Sequence, residues 1–149
     1  MNPELDKVLC KKYSKIFAQR SSPMTETLMC WGFECGDGWY WLIDNLCHSI
    51  QGYVDSRNDG VKIRNKARSK EEEPEAEWEV EAVQVKEKFG ELRFYIHGGD
   101  DMVHGMIHLA EDMSWNICEV CGSTKDVTHT KGWIKTVCRS CFLKPEEKK

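Results

Sequence analysis

Two short cysteine pairs constrain this chain more than any other feature. Cys118-Glu-Val-Cys121 and Cys138-Arg-Ser-Cys141 stand sixteen residues apart. Each C-x2-C pair fits a tight knuckle that aims two thiolates at one metal ion. Two knuckles complete a tetrahedron with Zn–S bonds of about 2.3 Å. Gly122 directly follows the first knuckle, where easy access to positive φ is useful. The pattern predicts one structural zinc held by Cys118, Cys121, Cys138 and Cys141. Redox C-x2-C pairs usually open a helix after a strand, and two in tandem fit that poorly. Two disulfides would need an oxidising compartment. Residues 118–142 carry Lys125, Lys131, Lys135 and Arg139 against Glu119 and Asp126, a formal +2. The zinc tetrathiolate adds a formal −2. A ribbon that ends near neutral is a poor nucleic-acid reader.

The rest of the composition narrows the class. A chain of 149 residues, 40% hydrophobic and 31% charged, makes one globular domain, or one domain with a small module. With 21 Lys+Arg against 25 Asp+Glu, the net charge of −4 argues against a general duplex-DNA binder. No apolar run approaches the ~18–20 residues of a membrane span. Met1–Glu4 lacks the basic-then-apolar opening of a secretory leader. The expectation is a cytoplasmic protein with no membrane partner.

Periodicity gives an α+β plan: helices packed on a small antiparallel hairpin or sheet, followed by the zinc ribbon. Leu5, Val8, Leu9, Ile16 and Phe17 predict an amphipathic helix over 4–19. The run MCWGFECGDGWYW, Met29–Trp41, carries Gly32, Gly36 and Gly38 and implies a tight turn with unusual backbone conformations. Asp37 is placed to cap the next helix. That helix buries Trp39, Leu42, Ile43, Leu46, Cys47 and Ile50, while Trp41, Asp44, Asn45 and His48 share a second stripe. Residues 56–77 read as a long charged flexible insertion. Six cations, Arg57, Lys62, Arg64, Lys66, Arg68 and Lys70, precede Glu71, Glu72, Glu73, Glu75 and Glu77. Alternation across Val61–Arg64 also allows a short strand. Residues 78–97 predict a hairpin, with a bulge where the apolar phase changes at Ala82–Val83 and a turn at 88–91. Asp100 or Asp101 should cap a helix over 100–115 whose Met102, Met106, Leu109 and Met113 form an adaptable core stripe. The domain plan is a core over 1–117, a ribbon over 118–142 docked on it, and a charged tail over 143–149.

Other residues with chemical potential carry weaker signals. His104 and His108 share a helix face, but they lack the acidic neighbour and third ligand of a catalytic zinc helix. Cys30, Cys35, Cys47 and His48 have the residue types for a second zinc, yet their spacing is irregular and reads as buried free thiols. Glu34 and Asp37 flank Cys35 without a nucleophile–base pairing, so no catalytic residue is assigned. A closed four-cysteine site leaves no open position to activate water. Lys86, Lys88, Arg93 and Tyr95 surround the hairpin, where an aromatic face with cations would suit a nucleotide.

The segments Met29–Trp41 and Val85–Tyr95 (VKEKFGELRFY), followed by Ile117–Cys121 and Gly132–Cys141, resemble a family of small, uncharacterised proteins of bacteriophages and prophages that carry a C-terminal four-cysteine zinc ribbon. The resemblance spans roughly half the chain, and residues 56–77 fall outside it. It implies a phage origin, the cytoplasm of an infected bacterium, and a role in modulating a host component or countering a defence. It carries no site residues over. The leading functional expectation is a non-enzymatic phage accessory protein that binds and modulates a host protein. Its face is Trp41, Asp44 and His48 with Arg93 and Tyr95. One alternative is a sponge for a nucleotide defence signal at Lys86, Lys88 and Arg93. Another is a nucleic-acid-binding zinc protein using residues 57–70.

Overall fold

The computed structural model describes residues 1–69 and 71–143. Helix α1, Pro3–Lys12, starts where Asn2 Oδ1 accepts the Glu4 and Leu5 backbone N–H groups at 2.9 and 3.1 Å. It stops earlier than the apolar spacing predicts. Tyr13 leaves helical geometry, and its hydroxyl donates to the Asp44 carbonyl at 2.9 Å. Ile16 and Phe17 still reach the core, but through a turn that ends in a 3-10 segment, Ala18–Ser21.

The main sheet has the order β1-β2-β3. β2, Val80–Lys88, and β3, Glu91–Gly98, form the antiparallel hairpin. The register slips between Ala82 and Gln84, where the sequence predicts a bulge. β1, Phe33–Glu34, adds a parallel edge that the sequence did not announce. The sheet is therefore mixed. The free edge of β3 is closed by side chains of α3, Asp101–Ser114. Leu92 N–H donates to Ser114 Oγ at 2.8 Å, and Phe94 N–H to Glu111 Oε1 at 3.0 Å. Asp100 caps α3 through the Met102 and Val103 N–H groups, as expected.

α2 is one continuous helix of 28 residues, Tyr40–Ala67. The reading of residues 56–77 as a connection is corrected over its first half, and no strand forms at Val61–Arg64. Val61 and Asn58 are buried, so the apolar stripe persists beneath the basic surface. The acidic run returns along the helix in extended form. Asn58 offers its amide to both backbone groups of Trp78, at 3.0 and 2.6 Å. Seven residues on, Asn65 does the same for Glu75, at 2.8 Å each way. Arg64 grips the Glu75 carboxylate in a fork at 2.9 and 2.8 Å. The basic and acidic runs are thus partners of each other. Lys70 lies outside the described residues.

Two further corrections concern exposed faces. Asp44 is 6% exposed and held by Lys12 at 2.7 Å and by Tyr13, so it is a structural group. On α3 the core side is Val103, Ile107, Ala110 and Ser114, while Met102, Leu109 and Met113 are exposed. The methionine stripe is a surface feature, because residues one position along a helix rotate by about 100°. Beyond α3, β4, Val127–His129, pairs with β5, Thr136–Cys138, and a single turn of helix, α4, covers Arg139–Phe142. Of the tail over 143–149, residues 144–149 lie outside the described residues.

Candidate metal centre

Cys118, Cys121, Cys138 and Cys141 come together with all four Sγ atoms within 4.8 Å of one another. The Cys121 and Cys138 sulfurs are 3.7 Å apart. A tetrahedron with Zn–S bonds of about 2.3 Å has edges of about 3.8 Å, so this set fits one zinc-sized ion. The knuckle is closed by Gly122 N–H donating to Cys118 O at 2.8 Å, and Cys118 N–H donates to Ser123 O at 2.8 Å. Gly122 has φ +75°, the left-handed conformation expected of it. Without metal, the Cys141 N–H and neighbouring thiols draw the Cys138 pKa down to about 7. Burial and the same neighbours push Cys141 up to about 12.

The ribbon is bolted to the rest of the chain through the glycine-rich turn. Gly38 N–H donates to Glu119 O at 2.8 Å, and Gly36 N–H donates to Glu119 Oε1 at 2.8 Å. Trp39, fully buried, donates its indole N–H to Ile117 O at 2.9 Å. Thr136, also fully buried, ties β5 to the hairpin tip by donating to Gly90 O at 2.6 Å. Burial raises the pKa of Glu119 despite the Gly36 N–H it accepts.

These contacts revise the reading of the glycines. Among the three in the turn, only Gly32, φ +74°, has the unusual backbone conformation. Gly36 and Gly38 are needed for close approach: a Cβ at either would overlap ribbon backbone. Asp37 does not cap α2; its carboxylate accepts the Asn2 N–H at 2.6 Å. The signal for this docking was present, since Gly-x-Gly before a helix marks backbone approach as well as turning.

The remaining candidate residues separate. Cys30 Sγ contacts Thr27 O at 3.1 Å, whereas burial pushes Cys35 up to about 12 and raises Cys47 well above its ordinary value. His48, His104 and His108 are exposed on their helices. Arg93 is committed to Glu91, with Glu111 at 3.9 Å. Lys86 lies over the Tyr95 ring at 5.8 Å on the outer face of the sheet, and Lys88 belongs to the hairpin tip with Phe89 and Trp133. Lys86, Arg93 and Tyr95 line none of the clefts at the hairpin tip, between α2 and α3, beside the knuckle, or between α2 and β2.

Sequence reasoning missed the groove between α2 and α3. Trp41, 70% exposed, faces Leu109, 62% exposed, and Met113, 47% exposed, across a groove of about 350 Å³. Leu46, Met106 and Ile117 also line it. The spacing of Met106, Leu109, Ala110 and Met113 held the signal, hidden because a second apolar stripe lies beside it.

The fold is α+β with a C-terminal four-cysteine cluster able to hold one metal ion. No family model, curated protein or solved structure matches the chain. The phage origin drawn from sequence resemblance is therefore unsupported by comparison. No helix among the described residues is long and apolar enough to cross a membrane.

Proposed function

We propose that this protein is a non-enzymatic accessory factor of phage origin. Its four-cysteine site holds a structural zinc, and its exposed face binds and modulates a bacterial host protein. One observation carries the binding half: Trp41, Leu109 and Met113 are exposed together in a single groove. Large apolar side chains gathered in a concave surface mark an interaction site, and tryptophan dominates the energetics of such sites. The face expected from sequence shifts accordingly. Trp41 stays at its centre, Asp44 leaves it, and Arg93 and Tyr95 belong to the sheet.

The zinc half rests on the sulfur geometry. A closed tetrathiolate contributes folding free energy directly and supplies no site for substrate. The two alternatives have less support. A phosphate would have to displace Glu91 from Arg93. A nucleic acid would have to displace Glu75 and Glu77 from the basic half of α2. The test is site-specific crosslinking. A photoreactive residue at position 41 or 109 should capture one host protein, and the same residue at exposed position 63 should not. Equal labelling from both positions, or none, defeats the reading.

A further inference from the structure

We propose that the groove between α2 and α3 receives an amphipathic helix flanked by lysine or arginine, supplied by the partner protein. This deepens the binding reading given above and rests on it.

The shape sets the length. On the α2 side the groove is lined from Trp41 through Asn45 to Ser49. Eight residues of helix rise about 12 Å, or two turns. The α3 side supplies Met106, Leu109, Ala110 and Met113, spaced i, i+3, i+4 and i+7. A helix laid between two helices presents its own anchors at that spacing. Methionine suits such a wall, since its flexible thioether adapts to the residue it meets. The groove continues into a second recess, which shares Trp41, Leu42 and Ile117 and ends at Val120 and Cys121 of the knuckle.

The charge sets the chemistry of the occupant. Among the described residues, no lysine or arginine lines either recess. None occurs from Tyr40 to Ser56 or from Asp100 to Thr124, although the chain has 21 such residues in all. Of the exposed acids, Asp37 lines the second recess and Asp112 adjoins Met113 on α3. At the knuckle end a metal tetrathiolate would add further negative charge. Lys12 of α1, the cation bound to α2 beside this face, is already paired to Asp44 at 2.7 Å. An apolar groove whose described lining holds no lysine or arginine and whose margin carries Asp37 and Asp112 favours a helix with basic flanks. It disfavours a second copy of this chain through the same face, because the acidic margins would then meet.

The test selects from a displayed library of random 16-residue peptides against the full-length, zinc-loaded protein. Enriched peptides should carry apolar anchors at i, i+3 or i+4, and i+7, with lysine or arginine outside them. A selected peptide, followed by fluorescence anisotropy, should bind at least tenfold more weakly to Leu109→Glu and to Trp41→Ala. Its affinity should fall about fivefold between 50 and 500 mM salt, as screening removes the attraction. Melting of both variants checks that the fold is kept; both sites are exposed. Enrichment of acidic or extended peptides, or binding indifferent to Leu109→Glu, overturns the proposal. So does a concentration-dependent dimer in sedimentation that Leu109→Glu abolishes. If the crosslinker at position 109 still captures a host protein through a non-helical or acidic segment, this inference falls while the broader reading stands. If crosslinking fails as well, both fall.

Discussion

Replacing Gly38 by alanine should destabilise the protein by about 3–3.5 kcal/mol, although Gly→Ala exchanges at unstrained positions are usually favourable. The new Cβ would overlap Cys118 O and Gly122 N and lie 2.7 Å from Glu119 O. All three are backbone atoms, so no side chain can swing aside, and the ribbon must back away. Three hydrogen bonds cross this junction: Gly38 N–H to Glu119 O, Gly36 N–H to Glu119 Oε1, and Trp39 Nε1–H to Ile117 O. At about 1 kcal/mol net each, their loss costs ~3 kcal/mol, and the buried indole N–H left unpaired costs ~1 more. The reduced entropy of the unfolded chain returns about 0.4–1 kcal/mol. At roughly 3 °C per kcal/mol for a chain of this size, the melting temperature should drop by about 9–11 °C. Gly52→Ala is the control. Gly52 lies inside α2, and an added Cβ would meet nothing within 4 Å, so the same exchange should raise the melting temperature by about 2–3 °C. Thermal melts at one fixed zinc concentration compare the three proteins, because bound metal shifts the transition by mass action. A Gly38→Ala protein that melts with or above the wild type, with metal content unchanged, refutes the docking argument.

Three other perturbations follow from the same contacts. Metal affinity should fall as pH falls, since the ligands bind as thiolates, and the decline should steepen below about 7, where Cys138 also carries a proton before binding; a flat competition titration from pH 8 to 6 would contradict this. Phe89→Asn should stabilise by about 0.5–1 kcal/mol, because Phe89 and Gly90 form a two-residue turn with φ of 57° and 83°, a conformation asparagine tolerates far better than phenylalanine; chemical denaturation reads the sign. Asn58→Ala should cost about 2–3 kcal/mol, since it strips both backbone partners from Trp78 at a buried position; a loss under about 0.5 kcal/mol would show that the acidic strap is held by its ion pairs instead.

The hairpin, its bulge, the Asp100 cap and the cysteine cluster were legible because each has a local signature: alternation, a phase change, a capping acid, a spacing. What was not legible depended on tertiary partners. The basic half of α2 looks like solvated chain, since its helical stripe there is reduced to Asn58 and Val61. The asparagines that clamp the returning strap are ordinary polar residues until Trp78 and Glu75 come beside them. On α3 two apolar stripes lie side by side. Periodicity alone chooses the bulkier one for the core, whereas contact with β3 selects Val103, Ile107 and Ala110.

Ile117 ties the metal centre to both recesses of the groove, and Val120 and Cys121 of the knuckle close the second of them. Ile117 sits immediately before Cys118 and offers its carbonyl to the Trp39 indole. Trp39 in turn precedes α2, which carries Trp41. Removing the metal should release the knuckle, and the floor of the groove should lose its anchor from one end. Chelation is therefore expected to weaken a groove-binding peptide at least tenfold, while the helical signal in circular dichroism falls little, because α1, α2 and α3 belong to the larger core. Peptide affinity untouched by chelation, with zinc shown to be absent, would separate the two sites and leave the ribbon as a local brace only.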